Sequence, residues 1–303
     1  MPPAFRAAPV RVRVPATSAN LGPAFDCAGL ALELYDDVVV RVADRGLTVD
    51  VAGEGAEKVP RTERHLVVAA LRAAFDVLGG QPRGLEVVSA NRIPHAWGLG
   101  SSAAAIVSAV VAARALVLGG DERLGGDAAL ALAAEIEGHP DNVAACLNGG
   151  LTLAWTADDG PHAVRLEPSR ELAPVAFVPS TTSSTKKARG ALPDQVPHVD
   201  AAANAARAAL LPLALTTEPG LLMEATRDRL HQDYRAPAQP RTAALVEALR
   251  ADGVPAVVSG AGPTVLALTT RAQRDAVAAR RARGWSVLPL DVDAEGAQVL
   301  PVG

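Results

Sequence analysis

The sequence predicts a mixed α+β protein. Segments that alternate like strands and segments with helical spacing follow one another irregularly, whereas a doubly wound parallel sheet needs regular alternation of the two. The 303 residues are enough for two domains with sizeable cores. With 49% hydrophobic but only 3% aromatic residues, those cores must be built mainly from valine, leucine and alanine. A polar segment at 156–161 is the best candidate boundary, so we predict domains over 1–157 and 158–303.

Strands and helices are mixed in the first half of the chain. Residues 10–14 alternate valine with arginine, which is typical of a half-exposed strand. A second strand at 37–43 is predicted to pair with 47–53 across an Arg45-Gly46 turn. Residues 66–78 have helical spacing and stop at two glycines. The other elements predicted here are strands at 84–93 and 151–155 and helices at 101–116 and 127–136.

The second half has a similar composition and contains no repeat or low-complexity linker. Its predicted strands cover 175–178, 254–259, 265–268 and 285–290, and its predicted helices cover 201–213, 241–251 and 272–283.

Charge and cysteine content exclude several classes of protein. The net charge is −4 and no basic block stands out, which argues against a nucleic-acid or membrane-surface partner. Cys27 and Cys146 are far apart and predict neither a disulfide framework nor a metal site. The N-terminus lacks the apolar core of a signal peptide, and no run reaches transmembrane length. We therefore expect a cytoplasmic protein.

The most informative segment is a glycine-rich run that opens the predicted helix at 101–116. Two glycines allow a tight turn, and the serines after them lie where a helix N-terminus offers orphan N–H donors to an anion. The run has no lysine, so it is not a P-loop; a simple helix cap without a ligand is the alternative. It resembles the nucleotide-binding motif of the GHMP kinases, named for galactokinase, homoserine kinase, mevalonate kinase and phosphomevalonate kinase. The resemblance implies that ATP is bound by Pro94, His95, Ala96, Trp97, Gly98, Leu99, Gly100, Ser101, Ser102, Ala103 and Ala104.

A second motif, residues 15–26, directly follows the first strand. Taken alone, it reads either as a ligand loop or as a turn stabilised by its Asn and Asp side chains. It resembles the first motif of homoserine kinases, Pro-x-Thr-Ser-Ala-Asn-Leu-Gly-x-Gly-Phe-Asp. That resemblance implies that Asn20 and Asp26 contact an amino-acid substrate, with Asp26 at its ammonium. Ala24 stands where the family has glycine, and alanine would strain the loop if a positive φ is needed there.

The third motif is Glu-Gly-His-Pro-Asp-Asn at 137–142. An acidic residue near a phosphate loop commonly binds Mg²⁺, since this hard cation prefers oxygen ligands, whereas a lone histidine is more often structural. The motif resembles a signature of one branch of homoserine kinases. By that resemblance Glu137 and Ser102 hold Mg²⁺ and His139 helps to bind the substrate. Asp141 is the nearest candidate for a general base.

Two further motifs lie in the C-terminal half. The basic run at 184–189 reads alone as a solvated helix start, and residues 259–264 read alone as a tight β-turn. They resemble, respectively, the Ser-Thr-Lys-x-Ala-Arg segment of homoserine kinases and the third GHMP motif. The resemblance implies that Thr185, Arg189 and Gly262 bind the substrate, and Arg235, in the segment 231–235, resembles a second carboxylate-binding arginine of homoserine kinases. The planar guanidinium fork of arginine suits a substrate carboxylate.

These motifs occur in family order over residues 10–268. The resemblance implies a two-domain GHMP kinase fold, with an N-terminal ribosomal protein S5-like domain and a C-terminal ferredoxin-like α/β sandwich. It implies ATP- and Mg²⁺-dependent phosphorylation of L-homoserine to O-phospho-L-homoserine in threonine biosynthesis, and a homodimer. A sister kinase acting on mevalonate or a sugar, and a non-catalytic ligand-binding regulator on the same fold, remain as alternatives.

Overall fold

A computed structural model describes residues 3–180, 190–280 and 282–302. The strands are β1 (Val10–Ala19), β2 (Ala28–Ala43), β3 (Gly46–Gly53), β4 (Gly84–Asn91), β5 (Leu151–Ala157), β6 (Gly160–Leu166), β7 (Val175–Pro179), β8 (Ala256–Val258), β9 (Val265–Ala267), β10 (Trp285–Pro289) and β11 (Gln298–Leu300). The α-helices are α1 (Leu66–Val77), α2 (Ser101–Leu116), α3 (Gly120–Arg123), α4 (Gly126–Glu137), α5 (Asp141–Asn148), α6 (His198–Thr216), α7 (Leu222–Ala225), α8 (Gln232–Arg235), α9 (Pro240–Ala251) and α10 (Arg271–Ala278).

Seven of the described strands form the larger sheet, in the order β11-β1-β2-β4-β3, and β5 and β6 extend it beside one end of β2. This is possible because β2 is 16 residues long. Its second half pairs with β4, and its first residues pair with β5. Helix α2 packs on β1 and β2, and 11 of its residues are buried because its Ala, Ser and Val side chains allow close approach on several sides.

The predicted hairpin between 37–43 and 47–53 is wrong. The turn at Gly46 forms, with a φ of 79°, but β4 lies between β2 and β3. Strand β3 instead pairs with β4 in parallel, and α1 provides the crossover that a parallel pair requires. The apolar side chains of β4, Leu85 and Val87, are buried, whereas most of β3 is exposed or half-buried. The two strands contain the same apolar residues, one Leu, two Val and one Ala, so composition does not explain why β4 takes the interior position.

The smaller sheet has the order β10-β7-β9-β8, and all its neighbours are antiparallel. Helices α6 to α9 connect β7 to β8, and α10 connects β9 to β10. This β-α-β-β-α-β succession is the ferredoxin-like arrangement. The predicted α+β class and the ferredoxin-like C-terminal half are confirmed.

The change from one sheet to the other falls between Leu166 and Val175. Residues 156–161 include the turn of the β5–β6 hairpin, and β11 returns from the end of the chain to pair with β1. The division at residue 157 stays a prediction about independently folding units. Strands β6 and β11 and helices α3, α5, α7 and α8 are absent from the sequence-based expectations, and α5 begins at Asp141, inside the 137–142 motif. None of the described helices is long and apolar enough to cross a membrane.

Candidate active site

A cleft of about 710 Å³ joins loops from both halves of the chain. Four separate sequence segments and Arg235 contribute to its wall. The lining residues are Asn20, Asp26, Ala96, Gly98, Gly100, Ser101, Ser102, Glu137, Gly138, His139, Asp141, Asn142, Arg235, Gly260 and Ala261. The sequence motifs thus converge on one cavity, although up to about 240 residues of chain separate them.

The glycine-rich segment ends in the N-terminus of α2, where Gly100 is the cap residue with a φ of 72°. The first N–H groups of α2 have no partner within the helix and are available to an anion in the cleft. A Cβ on Gly100 would lie 1.9 Å from Thr17 Oγ1. Because Thr17 N–H also donates to Leu99 O at 3.1 Å, the turn is packed directly against the end of β1.

Gly98 brings the same segment against the C-terminal loop 259–264. A Cβ on Gly98 would lie 2.4 Å from Ser259 O and 2.8 Å from Gly262 O. Ser259 Oγ donates to Gly98 O at 2.5 Å, and Thr264 N–H donates to Trp97 O at 3.1 Å. The C-terminal loop therefore holds the glycine-rich turn from the side opposite Thr17. Gly262 takes part in this packing and is not among the residues that line the cleft.

The first motif forms a loop of unusual backbone conformation between β1 and β2. Asn20 and Asp26 have positive φ values of 70° and 55°. Asn20 closes this loop and joins it to the C-terminal loop 259–264. Its Oδ1 accepts from Asp26 N–H at 2.9 Å, and its Nδ2 donates to Gly260 O at 2.8 Å. Ala24 is not among the residues with positive φ, and the left-handed conformation is taken by Asn20, Leu21, Gly22 and Asp26. The strain considered for alanine at this position does not arise.

Glu137 and Ser102 face each other at the cleft. Ser102 Oγ donates to Glu137 Oε1 at 2.6 Å, from the start of α2 to the end of α4. Burial raises the pKa of Glu137. The charge of Asp141 also raises it, and the hydrogen bond from Ser102 lowers it by less than burial raises it. No cluster of three or more His, Cys, Asp or Glu side chains within the described ranges forms a complete metal cage. A hydroxyl and one carboxylate fit Mg²⁺, which commonly takes one or two carboxylates together with substrate phosphates.

Beside this pair, Asp141 is nearly fully buried at the start of α5. Its Oδ1 accepts from His139 Nδ1 and from Asn142 N–H, both at 2.6 Å. Thr17 Oγ1 in turn donates to Asn142 Oδ1 at 2.8 Å. Asp141 therefore orients His139, and Asn142 links the third motif to the first.

Among the described residues that line the cleft, Arg235 on α8 carries a positive charge, and its side chain is only 2% exposed. Its Nη1 donates to His231 Nδ1 at 3.1 Å and lies 3.4 Å from Gly260 O, and its guanidinium carbon lies 5.3 Å from the centre of the Phe25 ring. Thr185 and Arg189, the other predicted substrate contacts of the C-terminal half, lie outside the described residues.

A second cavity of about 230 Å³ adjoins the first at Ser101 and Ser102. His95 of the glycine-rich segment lines it and accepts at Nε2 from Asn91 Nδ2, at 3.3 Å. His65 also lines it, is 5% exposed, and has no hydrogen-bond partner for Nδ1 among the described residues. The two cavities together extend along both sides of the α2 N-terminus.

Sequence reasoning missed three residues of this arrangement: Thr17, His65 and His231. Thr17 lies within the first motif, but its contacts with Gly100 and Asn142 depend on tertiary structure. His65 gave no signal beyond its position at a helix start. His231 precedes Arg235 by four residues, and this spacing, typical of side chains that meet on a helical turn, is the signal that could have paired them.

Comparison with known proteins agrees with this geometry. Residues 65–150 match the family model of the GHMP kinases N terminal domain, and residues 210–286 match that of the GHMP kinases C terminal domain. A homoserine kinase of Streptomyces avermitilis is 65% identical over 99% of this chain and 98% of its own length. The chain belongs to the homoserine kinase family of the GHMP kinases. A homoserine kinase of Clavibacter michiganensis is 52% identical over 96% of this chain and 93% of its own.

Solved structures extend the family assignment to the fold. The crystal structure of homoserine kinase from Cytophaga hutchinsonii superposes with a TM-score of 0.81 at 26% identity, covering 98% of both chains. A mevalonate kinase of L. major shares the fold at a TM-score of 0.65 and 17% identity, over 97% of this chain and 98% of its own. The two-domain GHMP kinase fold implied by the motifs is confirmed.

Proposed function

We propose that this protein transfers the γ-phosphoryl group of ATP to the hydroxyl of L-homoserine, giving O-phospho-L-homoserine and ADP. One observation carries the proposal. A helix N-terminus suited to phosphate and a pair of opposite charges suited to an amino-acid zwitterion, Asp26 and Arg235, line the same cleft. Membership of the homoserine kinase family supports the same reading.

ATP would lie along both cavities. Its phosphates would accept hydrogen bonds from the first N–H groups of α2, after the turn at Gly98 and Gly100. Its nucleoside would occupy the second cavity beside His65 and His95, where the unpaired Nδ1 of His65 offers a polar contact. Glu137 and Ser102 would hold Mg²⁺, which supplies positive charge against the phosphate oxygens during transfer.

L-Homoserine would bind with its ammonium at Asp26 and its carboxylate at Arg235. Asn20 holds the Asp26 loop in position, and His139 lines the cleft on the α5 side. Roles of Thr185, Arg189 and Gly262 in substrate binding remain predictions from the motif resemblance. With both charged groups held, the side-chain hydroxyl can point along the cleft towards the phosphate end, which is the positioning that phosphoryl transfer requires.

In the transfer itself, the substrate hydroxyl oxygen bonds to the γ-phosphorus while the bond to the bridging oxygen of ADP breaks, and the hydroxyl proton leaves. Asp141 is our candidate acceptor for this proton, since it lines the cleft and is fixed by His139 and Asn142. We further propose that the enzyme is cytoplasmic and homodimeric, which cell fractionation and light scattering would test.

An ADP-release assay with L-homoserine, mevalonate and galactose tests the function against its alternatives. We expect turnover of L-homoserine and strong preference over 1,4-butanediol, which has a hydroxyl but neither charged group. A sister kinase would prefer mevalonate or galactose, and a regulator would bind without releasing ADP. Equal turnover of L-homoserine and 1,4-butanediol would also overturn the proposal.

The charged contacts are tested by substitution. Arg235→Ala removes a charge-assisted hydrogen bond worth about 1.5–3 kcal/mol, so kcat/KM for L-homoserine should fall by roughly 10- to 200-fold. Asp26→Asn should weaken binding at the ammonium, and ATP affinity should change little in either variant. Arg280→Ala, which removes a surface ion pair with Asp252, is the matched control.

A further inference from the structure

His231 lies behind the substrate end of the cleft, with its side chain fully buried. It connects two parts of the candidate site that come from different ends of the chain. Its Nε2 is 2.8 Å from Gly22 O in the first loop, and its Nδ1 is 3.1 Å from Arg235 Nη1. The Phe25 ring packs on this pair, with ring centres of Phe25 and His231 5.3 Å apart.

The two contacts determine the protonation state of His231. A guanidinium only donates hydrogen bonds, so Nδ1 must be the acceptor and must carry no proton. Gly22 O only accepts, so the single ring proton is on Nε2. An imidazolium would place an N–H against the Arg235 N–H and break the link. Burial lowers the pKa of His231, which favours the required neutral ring.

The charged groups around His231 do not change this conclusion. Asp228 lies 3.7 Å from Nε2 and is engaged by the N–H groups of His231 and Gln232, so it caps the start of α8. Asp228 and Asp26 raise the pKa of His231 and Arg235 lowers it, but burial is the largest effect and the pKa falls.

His231 is therefore a rigid spacer between the loop that carries Asn20 and Asp26 and the guanidinium of Arg235. In the proposed complex these two sides hold the ammonium and carboxylate on the same substrate carbon. Their separation sets the position and direction of that carbon. Once it is fixed, only a hydroxyl at the correct chain length reaches the phosphate.

We propose that His231 is a positioning residue that sets the geometry of the zwitterion clamp and thereby selects L-homoserine over L-serine, whose hydroxyl is one carbon shorter. The inference rests on the proposed function. It assigns to a residue outside the cleft a role in substrate selection through its neutral Nε2–H tautomer.

Amide isosteres separate the two hydrogen bonds. In His231→Asn the side-chain oxygen can take the place of Nδ1 and still accept from Arg235. In His231→Gln the side-chain amide can take the place of Nε2 and still donate to Gly22 O, but the acceptor for Arg235 is lost. We expect His231→Gln to raise KM for L-homoserine at least tenfold and to reduce its preference over L-serine at least tenfold, with KM for ATP unchanged. His231→Asn keeps the acceptor for Arg235 but loses the donor to Gly22 O, so we expect a smaller rise in KM and a smaller loss of preference than in His231→Gln.

Val257→Ala, a truncation of a fully buried side chain in β8, is the control for general loss of stability. It should lower the melting temperature without changing the ratio of L-homoserine to L-serine turnover. A His231→Gln enzyme whose KM and preference stay within twofold of wild type overturns the inference. If the wild-type enzyme does not phosphorylate L-homoserine at all, the proposed function fails instead.

A measurement on the unsubstituted protein covers the case in which the variants do not fold. In ¹⁵N NMR spectra of histidine-labelled protein, His231 should show the neutral Nε2–H tautomer at pH 7.5, and its Nδ1 signal should shift when L-homoserine is added. An Nδ1–H tautomer or an imidazolium at that pH would contradict the spacer role.

Discussion

At the scale of single residues, the phosphate turn depends on two missing side chains. Gly98 and Gly100 both have positive φ, and both approach neighbouring atoms more closely than a Cβ permits. The sequence predicted the need for glycine here from the expected approach to phosphate. In the structure, Thr17 on one side and Ser259 on the other leave no room for a Cβ at these two positions.

Gly100→Ala should therefore weaken nucleotide binding. Alanine at a left-handed φ costs about 1–2 kcal/mol, and its Cβ would overlap Thr17 Oγ1, so the turn must move. We expect the Kd for ATP, measured by calorimetry, to rise by roughly tenfold or more, equivalent to ~1.4 kcal/mol. Gly126→Ala, where a Cβ meets no atom within 4 Å, should leave it unchanged. Unaltered ATP affinity in Gly100→Ala would remove the turn from the binding site.

Glu137→Gln tests the metal role. Glutamine keeps an acceptor for Ser102 Oγ, so the contact between α2 and α4 should survive. The negative charge that attracts Mg²⁺ is lost, and the Mg²⁺ concentration for half-maximal activity should rise by roughly tenfold or more. Glu135→Gln, an exposed change on the same helix, is the control. Unchanged Mg²⁺ dependence would assign the metal to another carboxylate.

Sequence reasoning found most of these residues because they lie in short, ordered motifs. It could not find the pairing of Thr17 with Asn142, which are 125 residues apart and meet only when α5 packs on β1. Nor could it show that residues 20–22 and 26, rather than residue 24, take the left-handed conformation, since that depends on how the loop closes around Asn20.

At the scale of elements, strand pairing was the least predictable part of the fold. Helix α2 was predicted with its observed bounds, because its spacing and its glycine start are local signals. The position of β4 between β2 and β3 has no local signal, since β3 and β4 contain the same apolar residues. Position in the sheet also determines side-chain pKa values, as the adjacent carboxylates of Asp36 and Asp37 on β2 show.

The two aspartates should give opposite pH dependences of stability. Burial raises the pKa of Asp36 to about 6, although its Oδ1 accepts from the N–H groups of Arg92 and Ile93. Its folded pKa exceeds the unfolded value, so the contribution of Asp36 to stability is most favourable at low pH and falls as pH rises from about 4 to about 6. At neutral pH the cost is about 3 kcal/mol. Asp36→Asn should remove this loss and make the protein more stable at pH 7, measured by urea unfolding.

Burial also acts to raise the pKa of Asp37, but hydrogen bonds and ion pairs from Arg13 and Arg11 outweigh it and lower the pKa. Its stabilisation is present at neutral pH and lost as pH falls through the depressed folded pKa. Asp37→Asn should therefore reduce stability at pH 7 and have little effect in acid. If both variants shift the pH dependence of unfolding in the same direction, it is wrong to assign the effect of Asp36 to burial and that of Asp37 to its arginine partners.

At the scale of the whole molecule, the segment after β10 ties the two halves together. Asp293 is buried there: its carboxylate accepts from Tyr35 Oη at 2.9 Å and from the N–H groups of Glu295 and Gly296, and its backbone bonds to Ala31 and Gly150. The larger sheet thus depends on residues far outside the predicted N-terminal domain.

Asp293→Ala should lower the free energy of unfolding by about 3 kcal/mol, since it leaves buried donors without an acceptor. Tyr35→Phe, which removes only one of the three bonds, should cost less. The exposed Glu295→Ala is the control and should change stability by less than about 0.5 kcal/mol. Denaturant titrations monitored by circular dichroism measure all three. A loss no larger than that of Glu295→Ala would mean that the segment is only loosely attached.

The pairing of β11 with β1 has a consequence for protein synthesis. Arg11 is translated 289 codons before its strand neighbour Leu300. Until Gln298–Leu300 have left the ribosome, the outer edge of β1 is exposed to other chains and to chaperones. Assembly of the larger sheet therefore has to wait for residues that are synthesised long after the strand whose edge they cover.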